Sequence, residues 1–122
     1  MLENQEKDRR GYYRLPITLP VTVERFNMSN YNQPIKGRTV NISGGGALLA
    51  VGEEIGINDN VTVVLDISGT ESIEGTVVRS ESAGGGSYPH IISVQFAFKI
   101  QQQKQRLQRF VEEQRRSASR EG

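Results

Sequence analysis

Two short polar segments hold most of the side chains with chemistry to offer: Arg9-Arg10-Gly11-Tyr12-Tyr13-Arg14 and Asn41-Ile42-Ser43-Gly44-Gly45-Gly46. A guanidinium is a planar fork of donors that matches a phosphate or the O6/N7 edge of guanine bidentately, and it stacks on a purine face. Arg10 and Arg14 stand four apart, with Arg9 directly in front. A bidentate guanine contact discriminates by about 1–3 kcal/mol, and a hydrogen bond to a charged group contributes about 1.5–3 kcal/mol. The second segment adds the Asn41 amide, suited to a purine edge, and the Ser43 hydroxyl, able to donate to a phosphate oxygen. Gly44, Gly45 and Gly46 can take positive φ, let a ligand approach the backbone and expose N–H groups as an anion-binding concavity. Each segment also has a plainer reading. The first suits a solvated charged tail, and the second an Asx- or Ser-capped hairpin turn.

Other chemistries fail on residue type or spacing. His90 is the one histidine, and cysteine is absent, so neither a thiolate nor a His-based metal site nor a recognisable triad can be assembled. Glu53-Glu54 and Glu112-Glu113 are adjacent in sequence, so on a strand or helix their carboxylates diverge. Gly44-Gly45-Gly46 lacks a Walker lysine and a following helix, which excludes a P-loop. No catalytic constellation remains, and the expectation is a binding protein, not an enzyme.

The elements that must position these residues are mostly strands. Ile17, Leu19, Val21 and Val23 alternate with polar residues, and Pro16 and Pro20 make the beginning of that strand an edge or irregular. Residues 27–37 read as a loop, 38–42 as a strand, 44–46 as a turn and 47–51 as its partner strand. Val61 to Ile67 alternates, Ser68-Gly69-Thr70 is a hairpin-length connection, and a strand follows from Ile73 to Glu81. A glycine-rich turn at 83–89 leads to the last strand, His90 to Phe98. Six short strands joined by turns predict an antiparallel barrel. The period then changes: Ile100, Leu107, Phe110 and Val111 share one face of a helix over 101–116, with 117–122 fraying. This divides one domain into an arm (1–14), a barrel (15–99) and a helix with its tail (100–122).

The bulk properties set limits. A chain of 122 residues fits one domain with a modest core, and 35% hydrophobic content suits a thin-walled barrel. A net charge of +1 and 7% aromatic residues disfavour a nucleic-acid binder, the third alternative, a small barrel that would use the arginines and stack single strands on Tyr12, Tyr13 and Tyr31. No apolar run approaches the roughly 18 residues of a membrane span, and Met1–Asp8 lacks the features of a signal peptide. The expected location is the cytoplasm, without membrane insertion.

The two segments together resemble the paired signature of the PilZ domain, Arg-x-x-x-Arg followed by Asp/Asn-x-Ser-x-x-Gly. Arg10 and Arg14 match the first half, and Asn41, Ser43 and Gly46 the second. PilZ domains are bacterial receptors for cyclic di-GMP, and the resemblance implies a six-stranded barrel with a C-terminal helix. It also implies that Arg10 and Arg14 clasp guanines and phosphates from one side, while Asn41, Ser43 and Gly46, with Gly44 and Gly45 between, hold them on the barrel. An arginine at the position of Arg9 resembles members that bind two intercalated ligands per protomer. Arg79 ends the Val77-Val78 strand where PilZ members often carry a residue that packs on the ligand; an exposed strand-end arginine is the plainer alternative. The resemblance implies no cofactor beyond cyclic di-GMP, and a conformational signal to an unidentified protein in motility, biofilm formation or virulence, from a monomer or weak homodimer. The competing reading is a PilZ-fold adaptor that works without nucleotide.

Overall fold

The computed structural model describes residues 13–25 and 33–121, with side chains up to Ser117 in the final helix. Arg9, Arg10, Tyr12 and Tyr31 lie outside the described residues. Six antiparallel strands close into a barrel in the order β1-β2-β3-β6-β5-β4. They are β1 (Pro20–Arg25), β2 (Ile35–Ile42), β3 (Gly46–Val51), β4 (Asn60–Asp66), β5 (Thr70–Ser82) and β6 (His90–Phe96), followed by helix α1 (Gln101–Glu121).

Period-two alternation fills the barrel. Val21 and Val23, Val61, Val63 and Leu65, Ile73 and Val77, and Ile92, Val94 and Phe96 all point inward and are buried. Leu107, Phe110 and Val111 of α1 join the same core. Burying each such side chain stabilises the fold by about 1.5–3 kcal/mol, so the helix is held mainly by these three. Polar contacts fix its rotation: Gln103 Nε2 donates to the Ser72 carbonyl at 2.9 Å, and Arg106 pairs with Glu71. That guanidinium is the main reason the Glu71 carboxyl titrates below the usual carboxylate range.

Several expected boundaries move. β2 begins at Ile35 instead of residue 38, because Ile35 and Gly37 face inward and pair with Val23 and Val21. Residues 13–19 are irregular, and regular pairing starts at Pro20, in keeping with Pro16 and Pro20 near the strand's beginning. The backbone of α1 runs on to Glu121, past the expected end at residue 116. Ile100 precedes the helix and is 53% exposed, so it does not belong to the buried face. At the β4–β5 connection, Ser68 and Gly69 both take positive φ, and the Asp66 carboxylate accepts the Gly69 N–H at 2.9 Å.

Candidate ligand-binding site

β2 and β5 each carry one extra residue, and these two irregularities shape the site. The β2–β3 register skips between Thr39 and Asn41, and the β5–β6 register skips between Val77 and Arg79. In β2 the inward positions are Ile35, Gly37 and Thr39, then Ile42. In β5 they are Ile73, Gly75 and Val77, after which the alternation breaks. Without the bulges, strict alternation would turn Asn41 and Arg79 into the core. With them, both side chains face the outer surface. A bulge commonly re-aims a side chain beside a functional site, and here two of them do so on one face.

The pairing then brings distant residues into line. Asn41 lies opposite Leu48, Leu48 opposite Ser93, and Ser93 opposite Arg79, a single row across β2, β3, β6 and β5. Three interstrand steps of about 4.8 Å separate its ends by about 14 Å along the sheet. Arg14, Asn41, Ser43 and Gly46 line one cavity of about 310 Å³ together with Leu48, Val78, Arg79, Ser93 and Gln95. Leu48, Ser93 and Gln95 went unnoticed in the sequence because β6 joins the site only through tertiary pairing. Outward phase within a strand was the one signal that could have marked them.

Arg14 reaches this cavity because the chain before β1 is tied to β2. Leu15 and Ile42 exchange both backbone hydrogen bonds, at 2.7 and 2.9 Å. Further along, the buried Thr39 hydroxyl donates to the Ile17 carbonyl and accepts the Leu19 N–H at 2.8 Å. Leu15 itself is buried. This anchoring sets Arg14 beside the Asn41–Ser43 end of β2. Tyr13, next to Arg14, packs partly into the core, and the Arg115 guanidinium of α1 lies 4.8 Å from its ring centroid.

The glycine turn behaves differently from the expectation. Ser43 is only 7% exposed. Its Oγ accepts the N–H groups of Gly45 and Gly46 at 3.2 and 3.1 Å, and it donates to the Gly46 carbonyl at 3.3 Å. The hydroxyl therefore builds the turn, and those two N–H groups are already engaged, so they do not form an open anion cradle. Positive φ among the described glycines occurs at Gly69, Gly84 and Gly86, not at Gly44, Gly45 or Gly46. Gly46 is required for close approach instead: a Cβ there would overlap the Val94 carbonyl oxygen of β6.

Arg79 does not end its strand, since β5 continues to Ser82. Its Nε pairs with Glu81 at 2.6 Å. Along α1, Arg106, Arg109 and Arg116 are exposed, Arg106 while pairing with Glu71, and Arg115 is half-buried against Tyr13. Among the described residues no group of acidic or histidine side chains could hold a metal ion, and no helix is long and apolar enough to cross a membrane.

The chain is thus a closed six-stranded antiparallel barrel with one helix packed on it and a polar surface cavity over β2, β3, β6 and β5. The chain belongs to the PilZ domain family, whose sequence profile matches residues 8–113. Solved structures share the fold. The PilZ domain of CeSA from a cellulose-synthesising bacterium is 20% identical with a TM-score of 0.60, over 81% of this chain and 94% of that one. The PilZ domain of Escherichia coli YcgR, solved with c-di-GMP, is 14% identical with a TM-score of 0.72, over 93% and 97%. The Bacillus subtilis inhibitor of motility MotI is 18% identical with a TM-score of 0.69; 90% of this chain aligns with 52% of MotI, about half its length. No curated protein matches the sequence.

Proposed function

We propose that this protein is a receptor for cyclic di-GMP that signals by changing shape and catalyses no reaction. The observation that carries the reading is the convergence of Arg14, Asn41 and Arg79, from three separate segments, on one outward cavity. The Asn41 and Arg79 backbones stand about 14 Å apart along the sheet, a length suited to a dinucleotide with two bases and two phosphates rather than to a lone anion. In this reading Arg14 and Arg79 meet phosphates or guanine faces from opposite walls, and the Asn41 amide takes a base edge. Leu48 provides an apolar floor between them. Ser43 shapes the turn beneath the ligand instead of donating to it.

Arg9 and Arg10 would close the site from the arm, and a third guanidinium there suits two stacked ligands, with four phosphate charges in all. The output would pass through Tyr13. A ligand that draws on Arg14 and the residues before it also moves the ring on which Arg115 rests, and so biases α1. That change of surface is what a partner protein would read.

Isothermal titration of the full chain with cyclic di-GMP, GMP and a short oligonucleotide tests the proposal. Binding of cyclic di-GMP alone is expected, with severe loss in Arg10→Ala, Arg14→Ala and Asn41→Ala. A stoichiometry of one ligand per chain would refute the stacked pair. Indifference of the wild type to cyclic di-GMP would refute the receptor reading and leave the nucleotide-independent adaptor.

A further inference from the structure

The Arg79–Glu81 pair stands at the edge of the cavity and has no evident structural duty. Arg79 and Glu81 are two residues apart in β5, beyond its bulge, so both project from the outer face. Arg79 lines the cavity. Glu81 pairs across to Ile91 of β6, outside the cavity lining, yet its carboxylate holds Arg79 Nε at 2.6 Å. Both side chains are well exposed, 67% and 49%, so the contact contributes little to folding. Its effect falls on Arg79, a cavity arginine that a barrel strand supplies. A carboxylate this close to Nε offsets the positive charge that Arg79 presents to a phosphate or to guanine O6/N7.

We propose that Glu81 is an affinity-setting residue, an internal counter-anion that competes with the ligand for the charge of Arg79. The inference rests on the cyclic di-GMP reading of the site. Ligand anion and Glu81 carboxylate compete for one positive charge. Binding therefore exchanges one ion pair for another, and the gain from Arg79 is smaller than an unpaired arginine would supply. Glu81 thereby raises the ligand concentration at which the receptor responds.

The test is a double-mutant cycle by titration of the full chain with cyclic di-GMP at low salt. Glu81→Gln is expected to tighten binding about 1.5- to 5-fold, the range that release of an exposed pair allows. Arg79→Gln should weaken binding, and adding Glu81→Gln to it should give no gain. Glu54→Gln, which removes the same charge from a residue outside the cavity lining, controls for net charge and should leave affinity unchanged. The gain should shrink at high salt, as exposed charges are screened. Unchanged or weaker binding in Glu81→Gln, or an equal gain in the Arg79→Gln background, overturns the inference. If the wild type binds and loses binding in Arg14→Ala while Glu81→Gln has no effect, the receptor reading stands and only the Glu81 role fails. A wild type that does not bind overturns both.

Discussion

Replacing Thr39 with valine removes one hydroxyl and very little volume, and its effect follows from two hydrogen bonds. Thr39 is 1% exposed, donates to the Ile17 carbonyl and accepts the Leu19 N–H. Each bond contributes about 0.5–1.5 kcal/mol net, so Thr39→Val should loosen the 15–19 segment by about 1–3 kcal/mol. Leu19 still accepts the Thr39 backbone N–H at 2.9 Å, which limits the damage to partial release. The segment carries the Leu15–Ile42 bridge, so its opening exposes the Leu15 and Ile42 amides together with Leu19. Native-state hydrogen exchange should show these three amides losing protection by about 5- to 150-fold, the factor those energies imply. Amides in the β4–β5 ladder should change little. Affinity for cyclic di-GMP should fall by no more than the same factor, since a ligand that holds Arg14 must reclose the segment. Unaltered protection at Leu15 and Ile42, or an even loss across the whole barrel, would refute the view that Thr39 anchors the 15–19 segment locally.

Two further tests separate folding from binding. Gly46→Ala drives a Cβ into the Val94 carbonyl oxygen of the neighbouring strand, where backbone cannot yield. A loss of about 1–3 kcal/mol is expected, read as a lower urea midpoint without ligand present. The Glu71 carboxyl titrates below its unfolded value, near pH 4.3, chiefly because Arg106 hydrogen-bonds its charged form. Its contribution to stability is therefore present above that pH and lost as pH falls through the folded value. Wild-type stability should drop more steeply than that of Glu71→Gln below about pH 4.3, and parallel curves would refute the linkage.

Much of the barrel was legible in the chain because a strand's two faces meet different surroundings. The runs Val61–Ile67 and His90–Phe98 alternate in the chain, although β6 stops at Phe96, and the Ser68-Gly69 turn announces itself by residue type. The amphipathic face of Leu107, Phe110 and Val111 was equally plain, since helical period depends only on local spacing. So was the family signature, which the profile match over residues 8–113 bears out.

What alternation hid were its interruptions. Asn41 and Arg79 share phase with core residues of their own strands, and only the pairing of β2 with β3 and of β5 with β6 shows an extra residue at Val40 and at Val78. A bulge is a mismatch between two strands, and one strand alone cannot encode it visibly. The row Asn41–Leu48–Ser93–Arg79 has the same origin, because its members are neighbours only after the barrel closes. Ser43 shows the complementary case. Residue type supplied the hydroxyl, but the fold of the turn decided that it faces Gly45 and Gly46. The sequence by itself determined which chemical groups are available and the order of elements that carries them. Tertiary pairing decided which of those groups face one another across a cavity, because register and closure depend on contacts between residues far apart in the chain.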